Sequence, residues 1–222
     1  MLTPRLEILP AAQRRLWDDL RHTPQGFVLY GGTALALRLG HRHSEDFDFF
    51  SNRSFNAQDL RKSVPYLEAA EMSQFETNTL TAIVDRGGPV KVSFFGGLSL
   101  NRVQDPDLTH GIHVASLLDV AATKVATIQQ RAQARDYQDI AAIVSAGISL
   151  ADAIAAATAV YGNTFNGALS LKALTYFSDG DLPSLSPPVQ AKLRELAAEV
   201  NLKGIPRMQF KPGMSPSGGV PR

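Results

Sequence analysis

The chain has 222 residues and a formal net charge of +1, with 44% hydrophobic and 19% charged residues. This composition is typical of a globular protein with a core, and the small net charge excludes a strong general attraction to nucleic acid. The sequence has no cysteine, which excludes disulfides, a thiol nucleophile and a cysteine-ligated zinc site. No apolar run reaches membrane-spanning length and the N-terminal residues lack a signal-peptide pattern, so we expect a cytoplasmic protein without a membrane partner.

Hydrophobic periodicity and turn residues predict helices alternating with strands in the N-terminal half and a helical C-terminal half. In chain order, the predicted elements are a helix over 10–20, a strand over 27–30, a helix over 33–39, a strand over 44–50, a helix over 56–62, strands over 77–85, 90–95 and 111–115, and helices from residue 116 onward, including 153–161 and 186–201. The first helix is expected to bury Leu16, Trp17 and Leu20 on one face.

The order of these elements indicates an α+β fold, in which a small mixed sheet is flanked by helices and followed by a helical part. We predict three segments: an α/β core over 1–115, a helical C-terminal part over 116–202, and a flexible basic tail over 203–222. The tail has four basic residues and no acidic ones, so it is expected to be mobile or to act as an arm that docks on a partner.

The first candidate site residues lie where the strand over 27–30 leads into the next helix. Gly31 and Gly32 allow a ligand to approach the main chain closely, and the free N–H groups at a helix start favour phosphate. Thr33 is a candidate helix N-cap or a hydroxyl donor to a phosphate oxygen. The alternative is a turn that needs glycine for steric reasons. Neither a P-loop lysine nor a G-x-G-x-x-G pattern follows, so those two nucleotide-binding motifs are excluded.

Two acidic residues follow on the next predicted strand. Strand side chains alternate between faces, so Asp46 and Asp48 share one face while Phe47 and Phe49 point into a core. Neighbouring carboxylates repel each other unless a cation lies between them, and Mg²⁺ prefers carboxylate, water and phosphate oxygens. The alternative is an exposed polar strand face. The acids follow the glycines closely, and this order favours a combined phosphate and metal site.

Together these residues form the pattern GGTAL…HR-x-S-x-D-x-D-x-F, in which Arg42 and Ser44 are placed between the glycines and the aspartates, near a bound phosphate. The pattern resembles the polymerase-beta-type nucleotidyltransferase superfamily and, within it, the AbiEii/AbiGii toxin family. The later segment LLDVAATKVATIQQRAQARDYQDIAAI resembles that family's downstream helical motif, and the resemblance covers roughly residues 25–145. The residues of the helical motif are Lys124, Arg131, Arg135, Asp136 and Asp139.

The resemblance implies a nucleotidyltransferase-type fold and a metal-dependent transfer of a nucleotidyl group from a nucleoside triphosphate to an acceptor. It implies that Gly31, Gly32 and Thr33 hold the triphosphate. It also implies that Asp46 and Asp48 bind Mg²⁺ or Mn²⁺. Similar family members act as toxins that modify transfer RNA and are paired with an antitoxin, so the expected acceptor is RNA, such as tRNA, or a protein, and the expected partner is an antitoxin.

The strand over 90–95 departs from the family pattern. That pattern resembles Lys-Val-Asp-Phe, which places a third carboxylate where this chain has Ser93. A serine hydroxyl is not a general base near neutral pH and binds Mg²⁺ poorly. Lys91 shares a strand face with Ser93, so it is expected to point toward the same pocket and to contact the nucleotide.

The helical motif supplies two further candidates. Lys124 lies at the edge of an apolar helical stripe, where it either reaches a phosphate as a point charge or extends along the stripe to solvent; beside the upstream motifs we predict the phosphate role. Asp136 is the candidate general base, because position 93 lacks the third carboxylate of the family pattern. Asp139 follows Arg135 by four residues and is expected to pair with it in a structural role.

Two functional hypotheses follow. The first is an enzyme that transfers a nucleotide to RNA or protein in a toxin–antitoxin setting, with Asp46, Asp48, Lys124 and Asp136 as its catalytic residues. The second is a nucleotide-binding regulator that keeps the phosphate site but lacks full metal chemistry, which Ser93 favours. The two aspartates favour the enzyme.

Overall fold

The computed structural model describes residues 2–215. Its helices are α1 Ala11–Trp17, α2 Gly31–Leu39, α3 Ala57–Ser63, α4 Leu117–Thr127, α5 Ala134–Ser145, α6 Leu150–Tyr161, α7 Gly167–Ala173 and α8 Pro187–Glu199. Its strands are β1 Val28–Tyr30, β2 Asp46–Phe50, β3 Glu71–Glu76, β4 Thr79–Asp85, β5 Pro89–Phe95, β6 Asp107–Thr109 and β7 Ile112–Val114. Short 3₁₀ segments include Asp18–His22, Pro65–Leu67 and Leu202–Gly204.

All seven strands join one mixed sheet in the order β3-β4-β5-β2-β1-β7-β6. The pairs β2–β5 and β1–β7 are parallel, and the other neighbours are antiparallel. The α+β prediction is confirmed. The parallel pairing of β2 with β5 matters for function, because it places the acidic strand directly beside the strand that carries Lys91 and Ser93.

The described residues form two compact units. The first contains 2–100, 105–116 and 212–215, and the second contains 101–104 and 117–211. The predicted division at 115/116 lies next to the passage from the first unit to the second, whereas the predicted tail is divided between the units up to residue 215. In that tail Lys211 pairs with Arg102 in a β-bridge, and residues 216–222 lie outside the described residues. The mobility of the tail stays a prediction.

No single helix within residues 2–215 is long and apolar enough to cross a membrane. One pair of segments, Ala134–Ser145 and Leu150–Thr164, reaches that length and composition only when both are counted across a bend of 114°.

Aromatic side chains contribute to the core of the first unit. Phe47 and Phe49 are fully buried, and the Phe49 ring stacks on that of Phe94 with centroids 5.3 Å apart. Trp17, in α1, is 2% exposed and its ring centroid lies 6.5 Å from that of Phe47. Leu16 is also fully buried, so the predicted inward face of the first helix is confirmed.

Two short edge strands, β3 and β6, were not predicted. β3 has five exposed residues out of six and no alternation of apolar and polar side chains, so its sequence carries no periodic signal. It forms because the neighbouring β4 offers an unpaired edge, and it pairs there with an irregularity between Met72 and Gln74. The two predicted strands over 77–85 and 90–95 pair as an antiparallel hairpin, in whose turn the Asp85 carboxylate accepts hydrogen bonds from the Gly87 and Gly88 N–H groups.

Candidate active site

The phosphate-binding end of the candidate site is the junction between β1 and α2. The helix begins at Gly31, with Tyr30 as its cap residue, so it starts two residues before the predicted start. The N-cap prediction for Thr33 is therefore wrong, because the two glycines themselves form the first helical positions. The Thr33 side chain is buried, and its hydroxyl donates to the Asp46 carbonyl oxygen and lies 2.9 Å from Ser44 Oγ.

Both glycines at this junction lie against side chains of the predicted site. Gly31 has φ +73°, and a Cβ added to it would lie 3.2 Å from Asp48 Oδ2. A Cβ on Gly32 would lie 2.8 Å from an Arg42 guanidinium nitrogen and 2.9 Å from Ser44 Oγ. Glycine is favoured at Gly31 by its positive φ, and a side chain at Gly32 would displace Arg42 or Ser44. The start of α2, one carboxylate, one guanidinium and one hydroxyl meet here.

The two acids occupy the same face of β2, as the alternation predicted. Phe47 and Phe49 point into the core and Asp46 and Asp48 are half-buried on the opposite face. In the pairing with β1, Tyr30 lies opposite Asp48, which carries this acid to the start of α2. Asp48 thus faces the glycine junction, and Asp46 lies two residues away on the same strand face.

The neighbouring strand β5 places Lys91 beside Asp46 and Ser93 beside Asp48. Lys91 Nζ lies 3.5 Å from Asp46 Oδ2, with the side chains 45% and 36% exposed. Ser93 is 1% exposed and lies opposite Thr81 on its other side. The structure therefore places Ser93, which the resemblance matches to a family acid, beside Asp48, and it places Lys91 two residues away on the same strand face.

The side chains near the glycine junction offer few ligands for a divalent ion. Within residues 2–215, no group of three or more His, Cys, Asp or Glu side chains is arranged to hold a metal. Two carboxylates, Asp46 and Asp48, lie together next to the start of α2. Mg²⁺ is usually held by one or two carboxylates together with substrate phosphates, so this pair suits an ion that arrives with a triphosphate.

The remaining predicted site residues, Lys124 and Asp136, form a buried ion-pair cluster in the second unit. Lys124 Nζ lies 2.8 Å from Asp136 Oδ1 and 2.6 Å from Asp139 Oδ2. Arg131 Nε donates to Asp136 Oδ2 at 2.8 Å. The lysine side chain is 7% exposed and both aspartates are 0% exposed. The predicted pair of Arg135 with Asp139 is wrong, because Arg135 is exposed and donates to Gln133 Oε1, whereas Asp139 is buried against Lys124.

The protonation of Asp136 bears on its predicted role as a base. Burial raises the pKa of this carboxyl, but the hydrogen bonds and positive charges of Arg131 and Lys124 outweigh burial and hold it below its ordinary value of 3.8. A base works best when its pKa is near the working pH, so this environment favours a structural anion. The catalytic roles of Asp136 and Lys124 stay predictions.

A positioning residue that the sequence reasoning missed is Arg38, in the last turn of α2. Its guanidinium forms an ion pair with Asp107 at 2.8 Å and donates to the backbone carbonyl oxygens of Val114 and Ala115. The side chain is 12% exposed. It ties the helix that begins at Gly31 to the β6–β7 edge of the sheet. A basic residue near a helix end carries no sequence signal for such a distant partner.

Comparison with known proteins decides the family. A family model described as the nucleotidyl transferase AbiEii toxin of a type IV toxin–antitoxin system matches residues 15–202. The chain belongs to this AbiEii family. The predicted resemblance is therefore confirmed, and the matched region includes the glycine junction, the acids of β2 and the Lys124 cluster.

One curated protein is similar to part of this AbiEii-family chain. An uncharacterized protein of Aquifex aeolicus (strain VF5) is 34% identical over 119 residues, which are 51% of this chain and 55% of that protein. The chain thus spans about half the length of this curated relative.

Two solved structures share the fold. One is a candidate nucleotidyltransferase from H. pylori, with a TM-score of 0.55, 17% identity, and coverage of 84% of this chain and 90% of that chain. The other is MenT4, a nucleotidyltransferase toxin from Mycobacterium tuberculosis H37Rv, with a TM-score of 0.57, 18% identity, and coverage of 86% and 83%.

Proposed function

We propose that this AbiEii-family protein transfers a nucleotidyl group from a nucleoside triphosphate to an acceptor in a reaction that depends on Mg²⁺ or Mn²⁺. The observation that carries the proposal is the approach of Asp48 to the start of α2, where Oδ2 lies 3.2 Å from a Cβ position on Gly31. A phosphate at the helix start would therefore lie beside a carboxylate. Such a neighbour is unfavourable without a divalent cation between the two anions and favourable with one.

Different residues of the first unit would bind the phosphates and the divalent ion. The N–H groups at Gly31 and Gly32 and the Arg42 guanidinium would bind phosphate oxygens, and the Ser44 hydroxyl would add a donor. Asp46 and Asp48 would hold the divalent ion, which supplies charge stabilisation for the phosphates when bound. Chemically, an acceptor hydroxyl forms a bond to the α-phosphorus, loses its proton to a base or solvent, and pyrophosphate leaves.

The acceptor and the partner follow from the family. We propose an RNA acceptor, such as tRNA, with a protein as the alternative, and an antitoxin encoded as the toxin's partner. The net charge of +1 gives no general attraction to RNA, so acceptor binding would depend on a local basic patch. Nucleoside triphosphates and RNA are cytoplasmic, which agrees with the expected location.

A second candidate function is a catalytically degenerate nucleotide-binding regulator. The register of β2 with β5 supports it, because Ser93 lies beside Asp48 at the position of the third acid. A protein of this kind would bind a triphosphate without transferring a nucleotide.

Incubation of the full chain with each of the four α-³²P-labelled triphosphates, Mg²⁺ or Mn²⁺, and total RNA tests the proposal. We expect a labelled RNA or protein band with the native chain and with Asp59→Asn, a control on the exposed surface of α3. Asp46→Asn and Asp48→Asn are expected to lose at least about a hundredfold of the rate, in line with loss of charge stabilisation at a reacting phosphate. Triphosphate binding without any labelled product would favour the regulator. If the native chain bound no triphosphate, both the transferase and the regulator functions would be rejected.

A further inference from the structure

Asp46 lies beside a lysine, Lys91, on the adjacent strand. Lys91 is its register partner on the adjacent parallel strand, and its ammonium lies 3.5 Å from Asp46 Oδ2. Both side chains are partly open to solvent, at 45% and 36% exposure. The contact is therefore not a buried structural pair. It lies on the open part of the sheet face that carries the proposed metal ligands.

The two acids of β2 have different surroundings. Asp48 approaches Gly31, where the triphosphate would bind, with its Oδ2 3.2 Å from the Cβ position. Asp46 instead has the Lys91 ammonium beside it. Asp48 thus lies at the phosphate junction, and Asp46 lies at ion-pair distance from the Lys91 ammonium.

Charge balance limits how many divalent ions such a face can hold. A site for two ions needs oxygen ligands for both, and here the face offers two carboxylates and the Ser93 hydroxyl. Ser93 is a poor ligand for Mg²⁺ and is 1% exposed. The ammonium of Lys91 cancels the charge of one carboxylate and repels a further cation at short range. The residues present suit one divalent ion better than two.

We propose that Lys91 acts as a fixed cation in this site and that the site binds a triphosphate together with a single divalent ion. The lysine takes the electrostatic place of a second ion next to Asp46. This inference rests on the proposed nucleotide-binding function of the same site. Lys91 limits the number of bound metal ions to one. It also lowers the affinity of this strand face for a metal ion when no nucleotide is present.

Counting bound Mn²⁺ by electron paramagnetic resonance after equilibrium dialysis tests the inference. The full chain is dialysed with each of the four non-hydrolysable α,β-methylene nucleoside triphosphates, and ions held by free analogue are subtracted from a protein-free chamber at the same analogue concentration. We expect one Mn²⁺ per chain in the native protein and in Lys91→Arg, which keeps the positive charge. The double variant Lys91→Ala/Ser93→Asp is expected to bind two.

A second readout uses Mn²⁺ alone. Removal of a positive charge 3.5 Å from a ligand oxygen is expected to raise the affinity of Lys91→Ala for Mn²⁺ by at least about threefold at low ionic strength, and less at high salt. Lys62→Ala, which removes an exposed lysine of α3, is the matched control and should leave the affinity unchanged. This arm needs no aspartate at position 93, so it stands even if the double variant fails to fold.

The outcomes separate the inference from the function on which it rests. Two ions on the native chain, or equal Mn²⁺ affinities of Lys91→Ala and Lys62→Ala, would overturn the role of Lys91 while leaving nucleotide binding intact. No binding of any analogue by the native chain would reject the proposed function itself.

Discussion

Replacement of Lys124 by methionine distinguishes a structural role for this lysine from the predicted phosphate-binding role. In the native chain the ammonium lies 2.8 Å from Asp136 and 2.6 Å from Asp139, whose carboxylates are 0% exposed. Both carboxylates lose the ammonium in the variant, and Asp136 keeps the Arg131 guanidinium. Removal of one partner from a buried ion pair costs about 3–5 kcal/mol. That is a large share of a total stability of about 5–15 kcal/mol.

Urea unfolding followed by circular dichroism at 222 nm measures the loss, with the transitions of the two units fitted separately if they resolve. Lys172→Met, an exposed lysine of the same unit, is the control and should change stability by no more than about 0.5 kcal/mol. If Lys124→Met lost less than about 1 kcal/mol but bound triphosphate more weakly, the structural reasoning would be refuted and the phosphate role favoured.

The loss of stability caused by Lys124→Met is expected to become smaller at low pH. The pKa of Asp136 is lower in the folded chain than its ordinary value of 3.8, because the bonds and charges of Arg131 and Lys124 outweigh burial. Such a carboxyl stabilises the fold above its unfolded pKa, and that contribution is lost as the pH falls through the folded pKa. In Lys124→Met the pKa of Asp136 in the folded chain rises. The difference in free energy of unfolding between the native chain and this variant should therefore shrink as the pH falls below 3.8. A stability difference between the variant and the native chain that stayed constant with pH would contradict this role of Lys124.

Three further substitutions test other parts of the fold. Gly31→Ala is expected to cost about 1–2 kcal/mol in urea unfolding, because a side chain is strained at φ +73° and its Cβ would lie 3.2 Å from Asp48; unchanged stability and nucleotide affinity would count against the close approach. Ser149→Ala should lower the free energy of unfolding by about 1 kcal/mol, since its Oγ accepts a backbone N–H at the start of α6, whereas Ser149→Thr, which keeps the hydroxyl that also donates to Asp152, should retain most of it. Tyr66→Phe should cost about 1 kcal/mol, because the buried phenol lies 2.6 Å from Thr23 Oγ1, and a Tyr66 that ionised with exposed tyrosines in an absorbance titration would contradict the burial that raises its pKa.

Local sequence pattern was sufficient for the elements that carry the first part of the site. The alternation in β2 could be predicted because strand side chains point to opposite faces, and the fully buried Phe47 and Phe49 oppose the half-buried Asp46 and Asp48. The glycine pair marked the start of a helix for the same local reason, although the helix begins at Gly31 itself.

Burial of charged side chains could not be predicted in the same way. Lys124 lies at the edge of an apolar stripe, a position that is equally suited to a solvent-exposed lysine. Its contacts come from Asp136 and Asp139 on the next helix, and the packing of α4 against α5 decides whether they meet. The exposed strand β3 likewise has no pattern of its own and depends on the edge that β4 offers.

The amino-acid sequence alone determined the glycine junction, the shared face of Asp46 and Asp48, and the serine at position 93, because helix starts and strand alternation depend on backbone geometry within a few residues. Only the tertiary structure decided that Lys91 lies beside Asp46 and that Asp136 is enclosed by cations. Strand register and charge pairing arise from contacts between segments far apart in the chain, and the packing of the whole unit selects them.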